Sequence, residues 1–316
     1  MPSKSYVVWN NKGGAGKTTL TFQLSAAYAQ LHPLEKIVVI DMCPQANVSS
    51  ALLANKINPN VLLYPEEVTV STVCDYLLAK LKRNNTELET TNLMDFLVHV
   101  NTTNKRIPTN LYLMCGDLYL EALSRKLEQE RLLQTTPAND NPWKRVTLFI
   151  KDYIEGMSRQ HVDCVFFIDT NPTFSIYTEM AISAAERLIV PFMADDFSLS
   201  AITAMFNLVY GYTTDENKRF NCLKEYQYYW LAKANNIQRP KLHLFVNNRA
   251  TYYDTRASAA FSAAEISKFL NEVYWKNEDM FSSDFDASPG VLMDHIIDLP
   301  DFHSSGVVFY ILVVLY

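Results

Sequence analysis

The sequence predicts an α/β fold, a doubly wound and mostly parallel sheet with helices on both faces. Three observations predict it. Short β-branched and aromatic runs alternate with stretches of helical spacing along most of the 316 residues. Those runs are apolar throughout rather than alternating, as strands covered on both faces require. The first run also leads directly into a glycine-rich segment and then a helical stretch, an order in which ligands bind at the carboxyl ends of strands.

In chain order, the runs predict strands at Tyr6–Trp9, Lys36–Ile40, Leu111–Met114, Cys164–Ile168, Arg187–Val190 and Leu242–Val246. Helical spacing is clear at Leu20–Gln30, Leu118–Leu133, Val146–Met157, Ser198–Tyr210 and Ser258–Tyr274. The stretch 83–110 is polar and rich in Asn and Thr, with one apolar helix-like piece at Leu93–Val100. Residues 135–142 form a second polar, proline-containing connection. Both are expected as surface insertions within a single domain spanning 1–316.

Bulk composition excludes several classes. A net charge of −6 argues against a generally basic, nucleic-acid-coating surface, although a local patch is compatible with it. The five cysteines (Cys43, Cys74, Cys115, Cys164, Cys222) lie far apart, which fits neither a disulfide framework nor a zinc site. The six histidines are scattered without metalloprotease spacing. A reduced, cytoplasmic protein is expected. Met1-Pro2-Ser3-Lys4 runs straight into the first strand, which leaves no room for a signal peptide. The apolar run Val307–Tyr316 is too short to span a bilayer as a helix and is expected to be a buried strand.

The chemistry begins at Lys12-Gly13-Gly14-Ala15-Gly16-Lys17-Thr18-Thr19. Strand, glycine-rich loop and helix in this order make a P-loop, a cradle of inward-pointing N–H groups for a phosphate chain. Gly13, Gly14 and Gly16 let the backbone curl. Lys17 would neutralise the β- and γ-phosphates, and the Thr18 hydroxyl would ligate Mg²⁺. Ala15 and Thr19 complete the cradle. Read strictly, the pattern's first glycine is absent; Asn11 holds that place, followed by Lys12. Farther on, Cys164-Val165-Phe166-Phe167-Ile168-Asp169 ends an apolar strand on a carboxylate placed to hold a Mg²⁺-bound water.

The pattern K-G-G-x-G-K-T-T resembles the deviant Walker A motif of the ParA/MinD group of P-loop ATPases. The likeness extends over roughly residues 5 to 310. Asp41-Met42-Cys43-Pro44-Gln45-Ala46-Asn47 resembles that family's D-x-D-P-Q-x-N segment, with Cys43 in place of the second aspartate. The resemblance implies ATP and ADP with Mg²⁺ as ligands and an ATP-bound homodimer in which Lys12 reaches the partner's nucleotide. It also makes Asp41 a catalytic and metal-site residue beside Lys12 and Lys17. The second carboxylate of the family helps to position the attacking water, and an uncharged thiol is a poor replacement. Slow hydrolysis, or Asp41 orienting the water instead, follows from that exchange. Phe245-Val246-Asn247-Asn248-Arg249 resembles the strand end whose asparagine reads adenine; Asn248 is the first candidate and Asn247 the second. Asp195 and Asp196 are expected at a helix N-terminus rather than as an acid/base pair.

Partition ATPases of this family bind DNA non-specifically as ATP dimers. The matching stretch here is 211–241, where Lys218, Arg219, Lys224 and Lys233 stand among aromatic residues. The family's amphipathic terminal helix has no counterpart here, which weakens both that inference and any membrane docking. The leading expectation is a ParA-like ATPase that segregates or positions DNA or another large cargo, stimulated by a ParB-like partner. It would lie in the cytoplasm, on the nucleoid where DNA binding is retained. The alternatives are a P-loop small-molecule kinase or synthetase, and a hydrolysis-impaired nucleotide switch.

Overall fold

The computed structural model describes residues 4–54, 71–82, 92–133, 141–195, 197–212, 223–250, 257–283 and 295–300. The chain divides into two compact units. One comprises Met1–Val8 with Thr18–Ala185, the other Trp9–Lys17 with Glu186–Tyr316.

The first unit contains β1 (Lys4–Val8), β2 (Lys36–Asp41), β3 (Val98–His99), β4 (Leu111–Met114) and β5 (Cys164–Asp169) in the spatial order β3-β4-β2-β5-β1. All pairs are parallel except β3 with β4. Its helices are α1 (Lys17–Leu31), α2 (Asn47–Leu52), α3 (Val73–Lys82), α4 (Val100–Thr103), α5 (Leu120–Arg131), α6 (Pro142–Thr147), α7 (Phe149–Gln160) and α8 (Ile176–Ala184). The β2–β5 register sets Asp41 opposite Asp169, so two carboxylates meet at the carboxyl ends of neighbouring strands.

One face of β5 meets α1. Phe167 is fully buried, stacked on Tyr6 at 5.3 Å and edge-on to Tyr28 of α1 at 5.8 Å. The far end of α1 is tied down by a single amide. Asn110 Nδ2 donates to the carbonyls of Ala29 (3.0 Å), His32 (2.8 Å) and Glu35 (2.9 Å). The first of these is a carbonyl that the last helical turn leaves without an intrahelical donor. Asn110→Ala is expected to cost about 1–3 kcal/mol. A lowered urea midpoint with an unchanged slope checks it.

The second unit contains β6 (Arg187–Phe192), β7 (Lys241–Ala250) and β8 (Ile296–Pro300), parallel and in that order. Its helices are α9 (Ser198–Tyr210), α10 (Tyr228–Ala234) and α11 (Ala257–Lys276). Phe206 of α9 stacks on Phe245 of β7 at 6.2 Å and meets Phe269 of α11 edge-on at 5.6 Å. Gly211 ends α9 at φ 67°, and the Gly211 and Tyr212 N–H groups close on Asn207 and Phe206 carbonyls.

All six expected strands are present, and so are the five stretches of clear helical spacing, whereas the helix-like piece at Leu93–Val100 is a 3₁₀ turn, Leu93–Phe96, followed by the strand Val98–His99. Other details differ. The spacing at Val146–Met157 belongs to two helices, because Leu148 (φ −93°, ψ 3°) breaks the run. The Asn141 side chain caps the first of them by accepting from Lys144 N, with Pro142 in its first turn, so Pro142 is helical rather than loop. Within 92–110, Leu93, Val100 and Ile107 are buried, and Val98–His99 forms β3. The intervening Asn and Thr concealed that core pattern. Asn104, for example, is buried because its amide donates to Leu52 O at 2.8 Å. β8 carries the mixed run Ile296-Ile297-Asp298-Leu299-Pro300, which has no strand signature of its own. The terminal run Val307–Tyr316 lies outside the described residues.

Candidate nucleotide-binding loop and acidic cluster

The second unit holds the loop. Asn10 anchors its start: the buried amide donates to Pro191 O at 2.7 Å, and its Oδ1 accepts the Lys12 N–H at 3.1 Å. Gly14 (φ 73°) and Gly16 (φ 89°) adopt the left-handed conformation that side chains disfavour. The curl wraps the backbone around Lys17, whose buried ammonium donates to the carbonyls of Asn10 (3.1 Å) and Lys12 (2.8 Å). Gly13 and Gly14 lie on the open side, where an added Cβ would meet no atom within 4 Å. Thr19, farther along, is exposed.

Asn248 reaches this loop from β7. Its Nδ2 donates to Ala15 O at 3.2 Å and fills the space that a Cβ on Gly16 would need. Asn247, the other candidate, is buried and donates to Asp298 of β8 at 2.8 Å. Of the two, Asn248 is the one beside the loop.

Lys12 is held by its own chain. Its ammonium pairs with Asp195 Oδ2 and lies 3.3 Å from Ser198 Oγ at the start of α9. Burial pushes the Asp195 carboxyl up. Hydrogen bonds from Lys12, the Phe197 N–H and Ser198 Oγ, with the lysine charge, outweigh it and hold the group below its ordinary value. Asp195 therefore stands at a helix start, as expected, and is also the seat of the loop's first lysine. Sequence reasoning gave it no such role; a carboxylate 183 residues away carries no spacing signal.

The first unit holds the acidic cluster. Asp169 at the end of β5 is fully buried and accepts from Thr18 Oγ1 (2.9 Å, Oδ2) and Thr21 Oγ1 (3.1 Å, Oδ1), one helical turn apart on α1. Asp41 is equally buried. Its Oδ1 accepts the Cys43 N–H (3.0 Å), and its Oδ2 accepts both Ser49 N–H (3.1 Å) and Ser49 Oγ (2.7 Å). Burial raises Asp41 to about 6 against those stabilising bonds. Ser49 Oγ also accepts the Gly116 N–H at 3.0 Å, and a Cβ on Gly116 would come within 2.9 Å of the Asp41 carboxyl carbon. Ser49 thus fixes Asp41, a role that a hydroxyl in the first turn of α2 could have suggested. The turn between β2 and α2 closes with Ala46 N–H on Cys43 O (3.0 Å) and Ala46 at φ 50°.

Cys43 is buried, with Sγ 3.8 Å from Asp169 Oδ2. One donor atom each from Asp41, Cys43 and Asp169 lies within 4.8 Å of the others. The oxygens of Thr18 and Asp169 suit Mg²⁺, a hard cation that binds through few protein oxygens and keeps water. The left-handed glycines and the open face at Gly13 and Gly14 suit a phosphate chain. Both ligands therefore fit the residues present.

Of the DNA candidates, Lys218 and Arg219 lie outside the described residues. Lys224 lies over the Trp230 ring at 4.7 Å, Lys233 over Trp230 at 5.5 Å, and Arg239 over Tyr229 at 4.7 Å. These cations gather around one aromatic pair. Among the described residues no helix is long and apolar enough to cross a membrane.

An AAA domain family model matches residues 3–222. The sporulation initiation inhibitor protein Soj of Bacillus subtilis is 23% identical over 207 residues, covering 65% of this chain and 64% of Soj. A ParA family protein of Mycoplasma pneumoniae is 26% identical over 192 residues, covering 60% of this chain and 58% of that protein. The matches thus span less than two thirds of these relatives' own length. A plasmid partition protein of Borrelia burgdorferi, solved bound to AMPPNP, superposes with a TM-score of 0.56 at 13% identity. That alignment covers 100% of this chain and 97% of the other, and at such identity it shows the fold alone. With a glycine-rich loop between strand and helix, a Thr18–Asp169 hydrogen bond at 2.9 Å and a matching model over residues 3–222, the chain belongs to the AAA domain family, among the ParA/MinD-like P-loop ATPases.

Proposed function

We propose that this chain is an ATP-dependent dimerising ATPase that positions DNA or another large cargo, and that residues 1–316 act as one ATPase domain. The observation that carries the reading is the loop with its two lysines: Lys17 enclosed by backbone carbonyls, and Lys12 projecting to Asp195. Lys17 then exchanges carbonyls for the β- and γ-phosphates, while the N–H groups of 13–18 orient the chain. Thr18 and Asp169 hold Mg²⁺, which when bound neutralises charge developing on the phosphate oxygens. Lys12 leaves Asp195 for the nucleotide of a second copy, so that ATP closes a homodimer. Asn248 is the adenine-side residue, by its place beside Ala15 and Gly16.

Hydrolysis in this reading is slow. Cys43 presents a thiol where the family carries a carboxylate, and Asp41, tied by three donors, is the remaining group to orient a water. A ParB-like partner would complete the arrangement. DNA would be held electrostatically through Lys224 and Lys233, with Lys218 and Arg219 as further cations, and with affinity that falls as salt rises. The protein would then work in the cytoplasm, on the nucleoid.

Sizing of the protein with ADP and with ATP, with and without duplex DNA at two salt concentrations, tests this. An ATP-only dimer that retains DNA in low salt is expected. Lys12→Ala should bind ATP yet stay monomeric. A wild-type mass unchanged by ATP would end the dimer reading.

A further inference from the structure

We propose that Cys43 is a metal-selecting residue, which makes the divalent-cation position at Asp169 favour thiophilic ions such as Co²⁺ or Zn²⁺ over Mg²⁺. The inference rests on the reading that Thr18 and Asp169 hold the cation of a bound nucleotide.

The donors come from three parts of the first unit. Asp41 ends β2 and Cys43 follows in the turn beyond it, Asp169 ends β5, and Thr18 lies in the first turn of α1. The Cys43 thiol and the Thr18 hydroxyl converge on the same oxygen, Asp169 Oδ2, at 3.8 and 2.9 Å. A mutual separation within 4.8 Å for Asp41, Cys43 and Asp169 is what donors around one cation span, since metal–oxygen and metal–sulfur bonds are about 2.0–2.4 Å. The main chain that carries the sulfur is held on both sides of Cys43. It is fixed by the Cys43 N–H on Asp41 Oδ1, by the Ala46 N–H on Cys43 O, and by the approach of Gly116 to that same carbonyl.

A mixed set of carboxylate, hydroxyl and sulfur discriminates among cations. Mg²⁺ demands oxygen at near-octahedral positions and gains nothing from sulfur, whereas later divalent ions accept thiolate readily. Binding breaks the Cys43 S–H bond and forms a sulfur–metal bond. The proton passes to solvent, and no electron is transferred. Replacing the family's carboxylate by a thiol therefore changes which cation sits best there, and does more than remove a water-orienting group.

The test uses the whole protein with Co²⁺ as probe, alone and with a non-hydrolysable ATP analogue. Sulfur ligation gives an intense near-ultraviolet charge-transfer band that oxygen ligation does not. Wild type should develop this band in proportion to bound Co²⁺. Cys43→Ser should bind Co²⁺ about 10-fold more weakly and lack the band. Cys43→Asp should lack it too, and should shift the competition between Mg²⁺ and Co²⁺ toward Mg²⁺ by about the same factor. A wild-type protein that binds Co²⁺ without the band overturns the proposal, whether or not the variants fold. So does a band of full strength in Cys43→Ser, which would assign it to another cysteine. Calorimetry of the analogue separates the two readings. A Cys43-dependent band without analogue uptake would sink the nucleotide reading and leave the sulfur site standing.

Discussion

Lys17→Ala is expected to leave a folded protein that no longer takes up ATP. The ammonium sits inside the loop on the carbonyls of Asn10 and Lys12, so its charge is already removed from water. Losing one partner of a buried charge pair costs about 2–5 kcal/mol, and its lower end corresponds to a drop in affinity of at least about 30-fold. Isothermal calorimetry with ATP and a divalent cation measures it. Affinity within about threefold of wild type would show that the cradle does not act through this lysine. The contrast with Lys12→Ala is informative. That change removes a side chain held by Asp195 and should spare uptake while abolishing assembly. Two lysines five residues apart in one loop are thereby given separable roles.

Phe167→Ala is expected to have the largest effect on stability, about 3–5 kcal/mol, because a fully buried ring leaves a cavity that stacked neighbours cannot fill. Tyr6 and Tyr28 both lose their contact with it. The damage should also reach the site. Residues 167 and 169 share one face of β5, and α1 presents Tyr28 to the first, Thr18 and Thr21 to the second. A loosened α1 should weaken the Thr18–Asp169 contact and with it cation affinity. Denaturant unfolding gives the stability change. Metal affinity, measured at a temperature where the variant is still folded, gives the coupling. A stability loss with unchanged metal affinity would show that α1 keeps its position without the ring.

What was legible in the chain was local. The loop 12–19 announces itself because its conformation is written in consecutive residues: glycines that permit left-handed φ, and a lysine and threonine at fixed offsets. The buried strands were equally plain, since apolar runs of this kind have few other uses. β3 and the buried residues of 92–110 were concealed because their polar neighbours satisfy the local backbone, which reads as loop. The register that sets Asp41 against Asp169 was not legible at all, since pairing between strands 128 residues apart depends on the whole sheet.

The sequence by itself determined the fold class and the glycine-rich loop with its two lysines at 12–19. Each is a property of neighbouring residues whose backbone preferences and side-chain chemistry act over a few ångströms. Only the tertiary structure decided that Lys12 rests on Asp195, that Ser49 and Gly116 immobilise Asp41, and that the Cys43 sulfur meets the same carboxylate oxygen as Thr18. Those contacts join residues far apart in the chain. They exist only once hydrophobic burial has brought strand ends and helix starts together, and the charges and donors there must then find one another because water no longer serves them.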